Sequence, residues 1–522
     1  MTPRPLTPFE GMDIRTLIDN QARLRPEAPC LTWEPFEGEG RAWTYGAFAQ
    51  TLRRFAAGLQ ARGVIPGDRV LVHLDNCPES VIAWLGCAYA GAVAVTTNAK
   101  SSGDEIAYFV RHSAVVGAIT QPLFADLVTE AAPGLPWRVV TATDNDAPAK
   151  APEGFEPFEA IDGDPAALAQ RPHDQWAPFA IQYTSGTTAR PKAVLWTHAN
   201  ALWGARVCAD HEALRPTDVH LTHLPLFHTN AQVYSVLAAL WAGAHVVLAP
   251  RFSASRFWPV ALRHKATWTS MVPFCVKALM SQPVPAEHSF RNWGNAICEP
   301  AWDQHFRVKT IGWWGMTETV AHGVVGAAHQ PNAPMSMGRP SPAYQIHVLN
   351  EAGDPVAPGQ VGDLFVGGVR GLSLFAEYAG DPAATAASFR EDGLFITGDR
   401  VILGADGFLY FSDRSKDMLK VGGENVAASE IERVIATVPG VAEVAVVAMK
   451  HPMLDEVPVA FVIPAPGADE ALLQRIAATC EQALASFKRP HQVRLTPTLP
   501  RSTLEKVAKA ELRALLTQPR EA

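Results

Sequence analysis

The alternation of strand-like and helix-like apolar runs is the feature of this sequence that most constrains its fold. From Arg69 the chain reads RVLVHL, then ESVIAWLGCAYAGA, then VAVTTN, which predicts a strand, a buried helix and a second strand. The alternation recurs from VYSVLAALWAGA to HVVLA and from ASRFWPVALRHK to ATWTSMVP. Strands connected through helices pair in parallel, so we predict a layered α/β core with much parallel sheet.

A second pattern begins after about Tyr344, where short apolar runs are broken by turn residues. Gly353-Asp354 and Pro358-Gly359 punctuate this stretch and predict hairpins of a β-rich subdomain. Beyond the charged run DRSKDMLK, helix-like and strand-like runs alternate again. A chain of 522 residues also exceeds what one core usually supports. We therefore predict a large N-terminal domain over residues 1–415 and a small α/β C-terminal domain over residues 416–522.

Charge balance and cysteine usage exclude several classes of protein. The net charge of −8 provides no overall basic field to attract nucleic acid or an anionic membrane. The longest apolar run, residues 81–95, is shorter than the ~20 residues of a membrane-spanning helix, and no signal peptide is evident. The seven cysteines stand singly, as in reduced cytoplasmic proteins. We predict a cytoplasmic protein with no nucleic-acid partner, no integral membrane segment and no structural zinc.

The most informative segment is YTSGTTARPK, residues 183–192. A hydroxyl-rich turn with one glycine can wrap a polyphosphate through backbone N–H groups and hydroxyls, while a lysine neutralises charge. The Walker pattern is absent. A short Ser/Thr-rich turn by itself is more typical of a surface loop, but the full string favours phosphate binding. The candidate residues are Thr184, Ser185, Gly186, Thr187, Thr188 and Lys192.

Five segments in order resemble the signatures of the adenylate-forming superfamily of acyl-CoA synthetases, peptide-synthetase adenylation domains and luciferases. Residues 183–192 are similar to its phosphate loop. The segments WGMTE at 314–318, FITGD at 395–399 and DRSKD at 413–417 resemble its aromatic-G-x-T-E, T-G-D and hinge motifs. The segment LPRSTLEK at 499–506 resembles the one that carries its last lysine. The resemblance spans essentially the whole chain and implies the two-domain fold of that family, with the active site in the cleft between the domains.

The aromatic-G-x-T-E resemblance implies roles at the phosphates and at adenine. Glu318 would supply a hard oxygen ligand to the Mg²⁺ that accompanies ATP. Thr317 would bond the α-phosphate, and Trp314 with Gly315 would contact adenine. Taken alone, a T-E pair is more typical of a helix start and a single tryptophan of a core.

Other matched positions imply further nucleotide contacts. Asp399 would accept both ribose hydroxyls with its carboxylate oxygens, and Arg414 would contact the same sugar. Without the other motifs, Asp399 beside a glycine would be interpreted as a turn residue. Asn295 and Ala296 lie in a segment that matches the adenine-side loop of the family only loosely.

A catalytic lysine and a moving domain are also implied. Attack of a carboxylate on an α-phosphate brings two anions together, and a cation that bridges them would stabilise the transition state. By resemblance Lys506 fills this role, and the C-terminal domain then rotates about the hinge residue Lys416. The rotation would bring the loop around Gly423 to the site and open a path for a thiol. The alternative for Lys506 is a solvated lysine at a helix start.

The acyl pocket is placed by resemblance near His228 in LPLFHTNAQ, where family members have an aromatic residue or a histidine that gates the pocket. An isolated histidine after a phenylalanine is more often a satisfied core residue. Candidate walls of the pocket are Thr229, Gln232, Trp313, Met316 and Val324.

The sequence departs from the family pattern at three positions. Ala189 and Ala193 stand where glycines are usual, and the added methyl at Ala189 restricts the loop backbone. Glu505 stands where glycine usually precedes the last lysine, which weakly resembles carnitine- and short-acid-CoA ligases.

The prediction for the whole chain is an ATP-dependent acid–thiol ligase that uses ATP, Mg²⁺ and coenzyme A. A small carboxylic acid would attack ATP to give acyl-AMP and pyrophosphate, and the thiol of coenzyme A would then displace AMP. The alternatives are a free-standing enzyme that loads a carrier protein and a catalytically dead nucleotide sensor. The identity of the acid and the existence of a homodimer stay open at this point.

Overall fold

The computed structural model describes residues 6–144, 147–148, 150–184, 191–414, 418–421, 424–452, 454–484, 488–501 and 507–517. The chain forms two compact units, the first made of Met1–Ile346 and Val366–Phe395 and the second of His347–Phe365 and Ile396–Ala522. Both units mix helices with sheets, and the first is much the larger. The predicted α/β class, with a large N-terminal part and a small C-terminal part, is confirmed.

The strands are numbered in chain order. Those in the N-terminal half are β1 (Pro29–Trp33), β2 (Arg41–Thr44), β3 (Arg69–His73), β4 (Val93–Thr96), β5 (Gly117–Thr120), β6 (Arg138–Val140), β7 (Thr143–Asp144), β8 (Ala147–Pro148), β9 (Glu156–Pro157), β10 (Pro178–Thr184), β11 (Lys192–Thr197), β12 (Val219–Thr222) and β13 (His245–Leu248). They are followed by β14 (Trp268–Ser270), β15 (Asn292–Asn295), β16 (Lys309–Trp314), β17 (Val324–Val325), β18 (Arg339–Pro340), β19 (Gln345–Leu349), β20 (Val361–Gly367), β21 (Glu377–Tyr378), β22 (Phe395–Leu403), β23 (Leu409–Arg414), β24 (Met418–Val421), β25 (Glu424–Ala427), β26 (Val441–His451), β27 (Asp455–Pro464) and β28 (Gln492–Leu495).

The α-helices are numbered in the same way. They are α1 (Ile14–Leu24), α2 (Tyr45–Ala61), α3 (Pro78–Ala90), α4 (Gly103–Ser113), α5 (Ala125–Ala131), α6 (His198–His211), α7 (Ala238–Ala242), α8 (Ala254–His264), α9 (Pro273–Leu279), α10 (Pro300–Phe306), α11 (Pro382–Ala387), α12 (Ala428–Ala436), α13 (Leu472–Ala483) and α14 (Lys509–Thr517). Over the described ranges, none is long and apolar enough to cross a bilayer.

Two large sheets organise the first unit. One has nine strands in the order β18-β17-β16-β15-β14-β12-β13-β1-β2, and the other has eight in the order β21-β11-β10-β4-β3-β5-β6-β9. The predicted β-α-β unit is β3-α3-β4, and its two strands pair in parallel. Pro78 starts α3 without loss of a helical hydrogen bond, and Gly91 ends it at φ +84°. Every residue of α3 is buried, which explains why its sequence is apolar after Ser80.

A π-helix, Asn230–Leu237, follows the LPLFH segment and runs directly into α7. In this stretch the Ser235 hydroxyl donates to the carbonyl of Asn230, five residues earlier. Wider turns of this kind are rare and occur mostly at functional sites. The π-helix places Gln232 inside the unit, where it is 1% exposed.

The second unit has a four-stranded sheet, β19-β20-β22-β23, and a five-stranded sheet built on β24 to β28. The long hairpin of β26 and β27 carries two apolar faces because side chains alternate along each strand. Val446 and Ala460 belong to a core that includes residues of α12 and α13. Val447 and Phe461 belong to a second core that includes Leu512 of α14.

The predicted domain boundary near Lys416 falls outside the described residues. The compact units group residues 347–365 and 396–415 with the C-terminal part of the chain instead. A division by contacts and a division by mobility need not coincide, so domains 1–415 and 416–522 stay a prediction.

Candidate active site

The phosphate-loop segment lies between two paired strands of the eight-stranded sheet. Thr184 ends β10 and Lys192 begins β11, and these two residues are opposite each other in the antiparallel register. The four loop residues predicted between them, namely Ser185, Gly186, Thr187 and Thr188, lie outside the described residues. The structure therefore places both ends of the loop at the same end of the paired strands β10 and β11.

A tyrosine links the predicted lysine to the predicted metal ligand. Lys192 Nζ lies 4.5 Å from the centroid of the Tyr378 ring. The Tyr378 hydroxyl donates to Glu318 Oε1 at 2.9 Å. Burial, and then the negative charge of Glu318, raise the pKa of Tyr378 well above 10.0, so this hydroxyl stays protonated and remains a donor. An ammonium and a carboxylate thus lie on either side of one phenol.

The loop after β16 is held by its backbone. The carbonyl of Thr317 accepts a hydrogen bond from Trp196 Nε1 at 2.9 Å, and the carbonyl of Glu318 accepts one from the Phe375 N–H at 2.8 Å. Glu318 is 6% exposed. Gly315 allows close packing here, because a Cβ at this position would lie 2.4 Å from the Tyr234 hydroxyl. These contacts hold the backbone of the loop that carries Thr317 and Glu318.

The predicted adenine contacts sit at the ends of neighbouring strands β15 and β16. Trp314 is buried, and a Cβ added to Gly323 would lie 2.9 Å from its ring. Asn295 is fully buried, and neither amide atom of its side chain has a hydrogen-bond partner within the described part of the chain. Ala296, the next residue, is exposed. Buried amide groups without partners are rare and favour a polar ligand at this place.

His228 and the predicted pocket walls surround the start of the π-helix. His228 is half-buried, with its ring edge-on to Phe227 at 4.6 Å between centroids. Trp313 stacks on His322 with 4.4 Å between ring centroids. A Cβ at Gly294 would lie 1.5 Å from the Trp313 ring, so only glycine leaves room for this indole. Of the remaining candidates, Val324 is buried and Met316 is half-buried.

A chain of hydrogen-bonded side chains leads from the candidate phosphate contact into the interior, and we refer to it as the polar relay. The Thr229 hydroxyl lies 3.2 Å from the Thr317 hydroxyl and donates to Gln182 Oε1 at 3.0 Å. Gln182 Nε2 donates to Gln232 Oε1, and Gln232 Nε2 donates to the Thr96 hydroxyl at 3.3 Å. All members except Thr317 are buried.

Asp399 and Arg414 belong to the second unit. They are partners in the antiparallel register of β22 and β23. Asp399 is 3% exposed, and its backbone N–H donates to the Thr397 hydroxyl at 3.0 Å. The pairing brings these two predicted ribose contacts together on adjacent strands.

Three further predicted residues, Lys416, Gly423 and Lys506, lie outside the described residues. The segment with Lys506 is bracketed by an isolated antiparallel bridge between Arg501 and Val507. The roles predicted for these lysines and for the glycine loop stay predictions.

Sequence reasoning missed Tyr378 and Gln182 and described Gln232 only as a pocket wall. Tyr378 meets Glu318 across 60 residues of sequence, and Gln182 meets Gln232 across 50. No local pattern marks such contacts. The one available signal was the glutamine that ends the apolar strand run AIQ, since a polar group buried in a strand needs a partner.

Comparisons with known proteins give concordant matches. Residues 18–379 match the family of AMP-binding enzymes, and residues 430–506 match the AMP-binding enzyme C-terminal domain. A crotonobetaine/carnitine–CoA ligase of Escherichia coli is 33% identical, over 96% of this chain and 99% of the relative. The crystal structure of ATP-bound MatB from Rhodopseudomonas palustris superposes with a TM-score of 0.83 at 27% identity, over 97% of this chain and 99% of that one. O-succinylbenzoate coenzyme A synthetase from Bacillus subtilis, in complex with ATP and a magnesium ion, gives a TM-score of 0.81 at 25% identity, over 95% and 98%.

Proposed function

We propose, from the premise that this chain belongs to the AMP-binding enzyme family, that it joins a short carboxylic acid to coenzyme A. The predicted reaction class, ATP-dependent synthesis of acyl-coenzyme A through an acyl-adenylate, is confirmed by the family match and by the coenzyme A ligases among its relatives. In the first half-reaction the carboxylate attacks the α-phosphate of ATP and pyrophosphate leaves. In the second the thiol attacks the acyl carbon and AMP leaves.

The observation that carries this proposal is the arrangement of Lys192, Tyr378 and Glu318. Lys192 supplies a positive charge toward the polyphosphate from the first position of β11. Glu318 supplies a carboxylate oxygen, the ligand type that Mg²⁺ prefers, and Tyr378 holds that carboxylate in place. The donor set therefore fits the magnesium ion, which offsets phosphate charge when bound. Thr317, one residue before Glu318, offers its hydroxyl to the α-phosphate.

The other predicted residues complete the nucleotide site in this proposal. Trp314, Gly315, Asn295 and Ala296 contact adenine, and the buried amide of Asn295 gains the partners that it lacks within the described part of the chain. The remaining contacts are the phosphate loop of Thr184, Ser185, Gly186, Thr187 and Thr188, the ribose contacts Asp399 and Arg414, the bridging cation Lys506, the hinge Lys416 and the thiol-side Gly423.

We propose a short acid because the indole of Trp313, a predicted wall of the pocket, fills the space beside Gly294. His228 gates the pocket and orients the carboxylate. The E. coli relative is a ligase of crotonobetaine and carnitine, which are short trimethylammonium acids. The indole of Trp313, a predicted wall of the pocket, is the type of side chain that binds such a cation. Short trimethylammonium acids are therefore the first candidates.

The cellular place proposed is the cytoplasm. All seven cysteines are buried and none forms a disulfide bond, as expected of a protein kept in a reducing compartment. A homodimer stays an untested prediction.

Pyrophosphate release tests the proposal. Purified protein receives Mg²⁺, ATP and coenzyme A, with short aliphatic, aromatic and trimethylammonium acids in turn and Lys506→Ala as the control. We expect turnover that needs both acid and coenzyme A and is lost in the control. One burst of pyrophosphate per enzyme, without stimulation by coenzyme A, would favour carrier-protein loading. ATP binding without any pyrophosphate would identify a sensor and overturn the proposal.

A further inference from the structure

In the hydrogen-bonding direction that the structure shows, the polar relay leaves no hydroxyl proton for a ligand at Thr317. Thr229 lies within hydrogen-bond distance of both Gln182 and Thr317, but a hydroxyl has a single proton. When Thr229 donates to Gln182, the contact between the two threonines must use the proton of Thr317. Thr317 then presents only lone pairs to an incoming anion.

The relay keeps the same number of hydrogen bonds if every donor and acceptor along it is exchanged. An amide turned by 180° keeps its shape and exchanges a donor for an acceptor. If Gln232 and Gln182 both turn, Thr96 donates to Gln232, Gln232 to Gln182, and Gln182 to Thr229. Thr229 then donates to Thr317, and the proton of Thr317 is available to a phosphate oxygen.

We propose that Gln182 and Gln232 are positioning residues that direct the hydroxyl proton of Thr317 toward the α-phosphate of ATP. The inference rests on the proposed function, in which Thr317 contacts that phosphate. The two amides touch neither ATP nor the acid. They act through Thr229, and because they are 3% and 1% exposed, water cannot replace them as donors.

The test compares two substitutions of Gln182. In Gln182→Glu the ionised carboxyl can only accept, so Thr229 must donate to it and Thr317 must donate to Thr229. Gln182→Met removes the hydrogen bonds at similar volume and leaves the proton of Thr229 available to Thr317. At pH 8.5 we expect Gln182→Glu to lower kcat/KM for ATP by about 100-fold, the order seen when one oxyanion donor is lost. Gln182→Met should lower it by less than about tenfold, the size of one neutral hydrogen bond.

The pH dependence of kcat/KM distinguishes a change in the direction of the hydrogen bonds from a loss of packing at position 182. Below its pKa the introduced carboxyl regains a proton and can donate to Thr229, so the deficit of Gln182→Glu should shrink to about tenfold at pH 6. The deficit of Gln182→Met should not change with pH. Gln232→Glu is a second variant, for use if Gln182→Glu fails to fold. The carboxylate at position 232 can only accept, so Gln182 must donate to it and accept from Thr229. This variant should show the same pH-dependent loss.

Gln121→Glu is the matched control. Gln121 is also 1% exposed, and its Oε1 accepts from the Asp75 N–H, so a carboxylate keeps that bond. Its kcat/KM and pH profile should match the unsubstituted enzyme. Equal, pH-independent losses in Gln182→Glu and Gln182→Met would overturn the inference. An unsubstituted enzyme that releases no pyrophosphate would instead contradict the proposed function.

Discussion

Two buried polar regions of the first unit differ in how their groups are partnered. The polar relay ends at Thr317, next to Glu318, and its amides and hydroxyls are joined one to the next. The second region, which we call the histidine cluster, consists of His211, Glu212, His220 and His322. In that cluster Nδ1 and Nε2 of His322, and both carboxyl oxygens of Glu212, have no hydrogen-bond partner in the described ranges.

The difference shows what burial alone does to ionisable groups. Burial lowers the pKa of His211 to about 4 and that of His220 to about 3, and it holds the pKa of His322 well below 6.5. Burial and then the charge of Asp218 raise the pKa of Glu212 well above 4.5. The three histidines are therefore neutral at pH 7, and burial favours the protonated form of Glu212. Perturbed titration by itself does not mark a catalytic group, and His322 reaches the predicted pocket wall Trp313 through ring stacking.

The largest expected effect comes from matched carboxyl-to-amide changes in the two regions. Glu318→Gln removes the anionic oxygen proposed for Mg²⁺ and should lower pyrophosphate release by about 10³-fold, because charge stabilisation in the transition state is lost. Glu212→Gln, at an equally buried carboxyl, should leave turnover within about twofold. Turnover of both variants at saturating Mg-ATP is the measurement, and equal losses would remove the distinction between the regions.

Acid should destabilise the protein through the histidines. Their folded pKa values lie below the ordinary 6.5, so the unfolded chain binds more protons between pH 6.5 and about 4. The free energy of unfolding should therefore fall as the pH drops through this window, by about 1.4 kcal/mol per unit for each histidine. The raised pKa of Glu212 makes the free energy of unfolding change in the opposite direction, but the three histidines of the cluster outnumber it. Urea denaturation at pH 7 and pH 5 measures the slope, and His220→Phe should make it shallower; an unchanged slope would show that His220 is not buried as a neutral ring.

A smaller effect is expected where the site depends on one neutral donor. Tyr378→Phe keeps the ring beside Lys192 but removes the hydrogen bond to Glu318. We expect the Mg²⁺ concentration for half-maximal turnover to rise by about tenfold, the size of one hydrogen bond to a charged group. A magnesium titration of turnover checks this, and a change confined to kcat would argue against a role in holding the carboxylate.

The smallest effect should be the stability change in Glu212→Gln. Burial favours the protonated form of Glu212 in the folded protein, so an amide of the same shape should change the free energy of unfolding at pH 5 by less than about 1 kcal/mol. The unfolded carboxyl ionises near 4.5, so the folded enzyme loses stability as the pH rises toward the folded pKa. Between pH 5 and pH 9 the free energy of unfolding of the variant should therefore rise relative to that of the unsubstituted enzyme. A variant that is less stable than the unsubstituted enzyme at pH 9, as measured by urea denaturation, would contradict this.

Local patterns were enough to predict the α/β class and the β3-α3-β4 unit. Both strands of this unit are buried on both faces, so each has a continuous apolar sequence that can be recognised without the structure. Motifs that resemble those of the family also marked Thr317, Glu318 and Lys192 as candidates, and their roles stay predictions. The roles of Lys506 and the phosphate loop stay predictions because those residues lie outside the described ranges.

The contacts between motifs could not be predicted. Tyr378 meets Lys192 only because β21 pairs with β11, and no spacing in the sequence encodes that pairing. Gln182 and Gln232 each resemble an ordinary polar interruption of an apolar run. Their importance appears only when the fold brings β10 against the π-helix, where each amide is hydrogen-bonded to two side chains of the relay.

The nine-stranded sheet cannot form completely until a strand far along the chain has been synthesised. Its strand β1 lies near the N-terminus but pairs in parallel with β13, matching Leu31 to Val246. The hairpin of β1 and β2 therefore emerges from the ribosome long before its partner exists, with one edge open to other chains. Contacts this distant in sequence form slowly. Newly made protein should depend on protection of that edge until β13 has been synthesised.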